Sequence, residues 1–352
     1  MFIWFDVNTP KHALLFTSIG RKLSKLGHDY ILTARKYDAT INVLKRLQQD
    51  YILTGEYGGK TLMGKLKASL EKALSITKYF EENNINPDLA VHFTSPEAAR
   101  VAFGLGMKNI CINDTPHSYF ALKLALTLST ELIVTKAIPK TYFTDYISPE
   151  RIHQYDGVDV LEWIDSVKPD PEILKKLGLE GEKYIVFRPE EGFAAYYLSY
   201  SKGRPLTIGL KILEFLLREF SEYKIVFVAR YKPQSDIIDE YSKERVIVPD
   251  IPVLGVDLYQ NASLVLTGGE TMALEAAVMG IPSITYFPKI LHPTFYLQSR
   301  GFPITHVTRL EQIKEEIRKA LRNGERVDTS DLVREMEKPS DKLIELISEN
   351  NQ

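Results

Sequence analysis

The 352-residue sequence predicts an α/β protein built from two Rossmann-like domains, each a parallel sheet covered by helices. Three observations point there. Short apolar runs of strand length alternate with amphipathic stretches of helix length, the pattern of right-handed βαβ crossovers. The chain is longer than one core usually serves, so two ordinary domains are expected. The alternation loosens over residues 157–171, where Pro169 and Pro171 stiffen the backbone and prevent regular pairing.

The first domain is placed over residues 1–166. Residues 1–5 read as a buried strand and 12–26 as the helix after it, with Gly27 as C-cap. A strand over 30–33, a helix over 39–48, a strand over 51–53 and a long helix over 61–82 follow. Strands at 89–93, 110–112 and 131–134, with a helix over 96–104, complete this series. In the long helix Leu62, Leu66, Leu70, Ala73 and Leu74 are expected to form the buried stripe, and Lys60, Lys65, Lys67, Lys72 and Lys78 a basic face. The second domain is placed over residues 167–328. It carries strands at 184–187, 225–229, 246–248, 264–266 and 304–307, and helices at 206–220, 234–242, 271–279 and 310–321. Residues 329–352 hold a terminal helix over 330–348.

Composition narrows the function classes. Lys plus Arg is 44 against 46 Asp plus Glu, so the basic excess of a nucleic-acid binder is missing. Cys111 is the sole cysteine, which excludes an intrachain disulfide and a cysteine zinc cluster. The apolar run before Asp6 is too short for an export signal, and a cytoplasmic location is expected. Membrane contact would be peripheral, through the lysine face of the helix at residues 60–78.

The most informative stretch is LVLTGGETMALEAAVMGIPSITY, residues 264–286. An apolar strand stops at Thr267-Gly268-Gly269, and a helix starts at Thr271 and ends at Gly280 before Pro282. A helix start beyond a glycine turn offers unpaired N–H groups and partial positive charge to a phosphate. Glu275, one turn inside, could accept hydrogen bonds from a sugar hydroxyl. The alternative is that the glycines only let the helix pack closely.

GG-x-T-M-x-x-E-A-A-x-x-G-x-P resembles the donor-site motif of the GT-B superfamily, which includes the UDP-GlcNAc transferase of peptidoglycan synthesis and the non-hydrolysing UDP-GlcNAc 2-epimerases. The whole chain resembles an uncharacterised archaeal and bacterial family of that superfamily through DVNTPKH, GGKTLMGKLKASLEK, NDTPHS, YDGVDVLEW and GGETMALEAA. The resemblance implies a GT-B fold, two domains facing a cleft, with a nucleotide sugar, a UDP-sugar first among candidates, on the second domain and an unidentified acceptor on the first. It implies that Glu275 holds the ribose and Gly268, Gly269 and Thr271 the phosphates, and that the terminal helix returns to the first domain. Glu270 departs from the motif, because a carboxylate there repels a pyrophosphate unless it turns away.

Other candidates lie at strand ends, where doubly wound folds place ligands. Asp6 to His12 follow the first strand; Pro10 and a Thr9 or Asn8 cap suit a helix start, and His12 is either a general base or a hydrogen-bonded histidine. Asp114 and His117 in NDTPHS form an acid/base pair or belong to an Asx turn. Arg188 and Arg230 end two strands of the second domain and suit a pyrophosphate, or pair with Glu190, Glu191 or Asp236. Phe193, Tyr196, Tyr197 and Tyr200 could stack a base or sugar or pack a wall. Gly55 to Thr61 imitate a P-loop with one residue too few, so ATP hydrolysis is disfavoured. The reading is a metal-independent glycosyltransferase without a cofactor. A sugar-nucleotide 2-epimerase and a non-catalytic nucleotide-sugar binder are the alternatives.

Overall fold

The computed structural model describes residues 1–37, 39–59, 61–193, 198–324 and 326–349. The chain divides into two units, Met1–Ser166 with Met336–Gln352, and Val167–Glu335. In the first, β1 (Phe2–Val7), α1 (Pro10–Lys25), β2 (Asp29–Lys36), α2 (Thr40–Arg46), β3 (Ile52–Glu56), α3 (Leu62–Glu82), β4 (Leu89–Phe93), α4 (Pro96–Gly104), β5 (Lys108–Asn113), α5 (Tyr119–Ala125), β6 (Glu131–Thr135) and β7 (Ile152–Tyr155) follow one another. All neighbouring strands are parallel, in the order β3-β2-β1-β4-β5-β6-β7. The order reverses between β1 and β4, where such sheets open a crevice at their carboxyl ends. Thr9, Thr61 and Ser95 cap α1, α3 and α4 by accepting from the amides of His12, Gly64 and Ala98.

The second unit contains α6 (Pro171–Lys176), β8 (Tyr184–Arg188), α7 (Leu198–Ser201), α8 (Ile208–Glu219), β9 (Lys224–Phe227), α9 (Lys232–Ile238), β10 (Val246–Ile247), α10 (Gly255–Tyr259), β11 (Ala262–Thr267), α11 (Thr271–Val278), β12 (Ser283–Thr285), α12 (His292–Ser299), β13 (Ile304–His306), α13 (Leu310–Asn323) and α14 (Ser330–Arg334). Its parallel sheet runs β10-β9-β8-β11-β12-β13 and reverses between β8 and β11. Ile185, Phe187, Leu264 and Leu266 fill one face of it, with Leu213, Leu216 and Ile317 from the covering helices. Val186, Val226 and Val265 fill the other, with Ala276 of α11.

Two expectations, on the terminal helix and on α3, need correction. The terminal helix is broken: α14 ends at Arg334, and α15 (Pro339–Glu349) begins on a proline that cannot continue a preceding helix. Residues 329–335 belong with the second unit, and the rest with the first, where Glu337 N donates to Asp156 O at 3.0 Å and Ser340 N to Glu162 at 3.1 Å. The P-loop imitation folds back on α3, since a Cβ on Gly58 would sit 2.5 Å from the Gly64 carbonyl oxygen. Most consequentially, α3 is turned about its axis: Lys72, Ile76 and Phe80 are buried, whereas Leu62, Leu66, Leu70 and Leu74 are exposed.

Candidate functional site

In the second unit the predicted donor residues gather where β8 and β11 end side by side. Arg188 pairs in register with Thr267, and Gly268 N donates to Arg188 O at 2.9 Å. A Cβ on Gly268 would fall 2.5 Å from Glu190 N, so this position has to be glycine for the two chain ends to meet. Gly269 N donates to Thr267 Oγ1 at 3.0 Å. Both glycine amides are therefore used inside the chain. At the start of α11 the amides of Ala273 and Leu274 donate to Glu270 O at 2.9 and 3.1 Å, so those of Thr271 and Met272 are the ones that such a helix start can offer to an anion.

Arg230 supplies charge at this turn. Its Nε donates to Pro189 O at 3.2 Å, Nη1 lies 3.8 Å from Glu191, and Nη2 lies 2.9 Å from where a Gly269 Cβ would stand. Of its alternative partners, Asp236 is taken by Lys232 at 2.6 Å. Glu190 is fully buried and accepts from Thr207 N at 2.5 Å, Thr207 Oγ1 at 2.7 Å, Gly209 N at 3.3 Å and Tyr286 OH at 2.8 Å. It anchors the start of α8. Phe193 stacks on Tyr231 at 4.6 Å, and Tyr200 is exposed. Tyr196 and Tyr197 lie outside the described residues.

Two carboxylates of the motif differ in their surroundings. Glu270 Oε1 accepts from Thr294 N at 3.1 Å and Thr294 Oγ1 at 2.8 Å, at the start of α12. Its departure from the motif is thereby accommodated: the charge points into another helix start. Glu275 is buried and accepts from Tyr259 OH at 2.7 Å. Burial, then the Glu275 charge and this hydrogen bond, raise the Tyr259 phenol well above its ordinary value, and the Arg188 charge acts the other way. Glu275, one turn inside α11, thus ties that helix to α10.

In the first unit the crevice between β1 and β4 is filled by the chain's own charges. Asp6 and Lys72 are fully buried and pair at 2.8 Å. Lys72 also donates to Asn8 Oδ1 at 2.5 Å, Ser95 Oγ to Asp6 at 2.6 Å and Thr33 Oγ1 to Asp6 at 2.7 Å. Burial alone would raise the Asp6 pKa, but Lys72 and these donors hold it below the usual carboxylate value.

Beside that network Lys11 bridges two carboxylates, Asp114 at the end of β5 and Asp159 from the YDGVDVLEW segment. All three side chains are largely or wholly out of solvent. Burial opposes the Lys11 charge, but the two carboxylates overcome it and raise the pKa. Burial would raise Asp114 too, yet Lys11 and Thr115 hold it low. Asp159 is pushed up to about 6, by burial first and by Asp114 next, with Lys11 opposing. Two carboxylates share one ammonium, and the deeper one, Asp159, is the one whose protonated form is favoured.

The histidines separate accordingly. His12 is buried against Phe93, with ring centroids 4.7 Å apart, and its Nδ1 accepts from Asn8 N at 3.3 Å. Burial and the neighbouring Lys11 lower its pKa to about 3, so the general-base reading of His12 gives way to the hydrogen-bonded one. His92 is likewise internal: Nδ1 accepts from Ser95 N at 3.2 Å, Nε2 meets Asn109 Oδ1 at 3.2 Å, and burial lowers its pKa to about 4. His117 is half-buried between β5 and α5. Thr115 N donates to Asn113 Oδ1 at 2.9 Å, which is the Asx turn. Asp114 is held by Lys11 and Thr115.

Asp6, Lys72 and Asp159 were missed as partners because each contact spans a long stretch of sequence. Lys60 of the basic face lies outside the described residues, and Lys72 points inward, so that face is thinner than the sequence suggests. Among the described residues no helix is long and apolar enough to cross a membrane. Among them, too, no group of three or more His, Cys, Asp or Glu is placed to hold a metal ion.

Comparison with known proteins agrees with this architecture. The model of a family described as a protein of unknown function, DUF354, matches residues 1–352. An uncharacterized protein of Methanocaldococcus jannaschii is 29% identical, over 98% of this chain and 97% of its own. Among solved structures, the M. jannaschii UDP-GlcNAc 2-epimerase in complex with UDP-GlcNAc and UDP superposes with a TM-score of 0.70 at 15% identity, over 99% of both chains. S. aureus MnaA in its UDP co-structure gives 0.73 at 13% identity, over 99% of this chain and 96% of that one. The glycosyltransferase SnogD of Streptomyces nogalater gives 0.55 at 15% identity, over 99% of both. At such identities the likeness is one of fold, and the fold is GT-B.

Proposed function

The chain belongs to the DUF354 family, and we propose that it is a GT-B enzyme that takes a nucleotide-activated sugar on its second unit and transfers the glycosyl group without a metal ion. One observation supports the proposal: Arg188, Arg230 and the first turn of α11 lie at the reversal point of the second sheet, with Glu275 one turn further along α11. An anionic diphosphate suits the helix start and the arginines, and a ribose hydroxyl suits Glu275. In the transfer, a bond forms between the acceptor oxygen and the anomeric carbon. The bond from that carbon to the phosphate oxygen breaks, and the nucleoside diphosphate leaves with the electron pair. The helix start and arginines would stabilise that leaving charge. Asp114, backed by Lys11 and Asp159, is the candidate to receive the acceptor proton.

Sugar-nucleotide 2-epimerisation is the second reading, favoured by the whole-chain likeness to UDP-GlcNAc 2-epimerases. It needs a base able to take and return the proton on C2 of the sugar. Incubation with UDP-GlcNAc in D₂O without acceptor separates the two. Transfer predicts no deuterium at C2 and no epimer, and exchange lost in Asp114→Asn would establish epimerisation instead. Calorimetric titration with UDP, GDP, CMP and their sugars tests the shared premise, and no binding to any of them would sink both readings.

A further inference from the structure

The outer face of α3 carries a row of leucines that nothing in the first unit covers. Leu62 is 78% exposed, Met63 74%, Leu66 55%, Leu70 63% and Leu74 55%. Leu62, Leu66, Leu70 and Leu74 recur every fourth residue, so they form one continuous ridge about 18 Å long on a helix rising ~1.5 Å per residue. Ridges of this spacing are the ones that pack into the groove of another helix. The opposite face of α3 is already committed, through Ile76, Phe80 and the Lys72–Asp6 pair. The helix cannot turn its leucines inward without breaking that buried pair.

The charges beside the ridge identify what covers it. Outside the buried Lys72, α3 carries Lys65, Lys67 and Lys78 against Glu71, Glu81 and Glu82, so the helix has no basic excess to attract an anionic lipid surface. Lys67 and Glu71 flank the ridge on one side, 74% and 63% exposed, and pair with each other at 3.6 Å. When two such helices cross antiparallel about a two-fold axis near Ser69, Leu66, Leu70 and Leu74 each fall between two leucines of the other ridge, and Leu62 falls just beyond its Leu74. The same register sets Lys67 of one copy opposite Glu71 of the other, twice. Apolar ridge and flanking charges are thus self-complementary in a single register.

We propose that α3 is the dimerisation helix of this protein, packing against α3 of a second copy through Leu62, Leu66, Leu70 and Leu74 with Lys67–Glu71 pairs across the two-fold axis. Analytical ultracentrifugation of the full chain over a range of concentrations tests it. The wild-type protein is expected to sediment as a dimer, and Leu66→Glu or Leu70→Glu as a monomer with unchanged circular dichroism, since both positions are exposed in the folded unit. Lys67→Glu alone and Glu71→Lys alone should each raise the dimer dissociation constant by about 10-fold or more. Mixed in equal amounts they should form a heterodimer, because all charges then pair. A monomeric wild type, a dimer indifferent to the leucine substitutions, or a monomer that co-sediments with phosphatidylglycerol vesicles only while Leu70 is intact would each overturn the proposal. None of these outcomes depends on which nucleotide sugar, if any, the protein uses.

Discussion

Lys11 and Asp114 form a buried ion pair that does not balance, because Asp159 places a second carboxylate on the same ammonium. The surplus negative charge explains why the two acids titrate apart. Lys11 favours the ionised form of Asp114, and burial together with Asp114 favours the protonated form of Asp159.

Asp159 therefore makes stability depend on pH in an unusual direction. Its folded pKa, about 6, lies above the 3.8 ordinary for an aspartate, so between these values the folded chain holds a proton that the unfolded chain has released. Its contribution to stability is expected to fall by roughly 1 to 3 kcal/mol as pH rises from about 4 to 6. Asp114, lowered in the fold, contributes stability that is lost only as pH falls below its ordinary range. Urea denaturation at a series of pH values should show the downward slope between 4 and 6 in the wild type and its loss in Asp159→Asn. An identical slope in both would disprove the assignment.

Lys72→Met should destabilise the first unit by about 3 to 5 kcal/mol, the usual cost of leaving one partner of a buried ion pair alone. Asp6 would lose Lys72 while keeping Ser95 and Thr33 as donors. The double variant with Asp6→Asn should recover part of the loss, since the buried charge is then gone. Chemical denaturation of the three variants measures this, and a neutral Lys72→Met would show that the pair contributes nothing net.

These two lysines show where sequence reading stops. The alternation of strands and helices was legible over most of the chain, and β4 and α4 fall on the residues expected, because apolar runs and helix caps are local signals, whereas the short elements β7, α10 and α12 were not read. The donor stretch was legible because strand, glycine turn and helix are consecutive. On α3, leucine spacing suggested a buried stripe, but local periodicity cannot see that Lys72 has a partner 66 residues away at Asp6. The two readings of His12, and the partners of Glu190, stayed open in the sequence for the same reason. A titratable side chain at a strand end looks alike in sequence whether it faces a ligand or is saturated by Asn8 or by Thr207, Gly209 and Tyr286.

Arg230 should matter for the diphosphate and little for the fold. It lies beside the glycine turn and meets Glu191 only at 3.8 Å, a distance at which a partly exposed pair contributes little. Arg230→Gln is expected to weaken nucleotide binding by about 1 to 3 kcal/mol with a melting temperature close to wild type. Because helix start and guanidinium supply the positive charge, binding and turnover should survive EDTA. Activity abolished by EDTA and restored by Mg²⁺ would refute that part.

Glu275 and Tyr259 allow the structural and ligand-binding roles of one carboxylate to be measured separately. Glu275→Ala removes the acceptor of the buried Tyr259 hydroxyl, so a folding cost of about 1 to 3 kcal/mol is expected in addition to any loss of nucleotide affinity. Tyr259→Phe removes the donor, and adding it to Glu275→Ala should cost much less than the sum, because no unpaired hydroxyl remains. Nucleotide affinity should behave differently. If Glu275 holds the ribose, Tyr259→Phe binds almost as wild type, while Glu275→Ala and the double variant are weakened alike by about 1 to 3 kcal/mol. Denaturation and calorimetry on the same four proteins give both cycles. An affinity that recovers together with stability in the double variant would assign Glu275 to the packing of α10 against α11 alone, and would leave Arg188, Arg230 and the α11 start as the only donor contacts of the second unit proposed here.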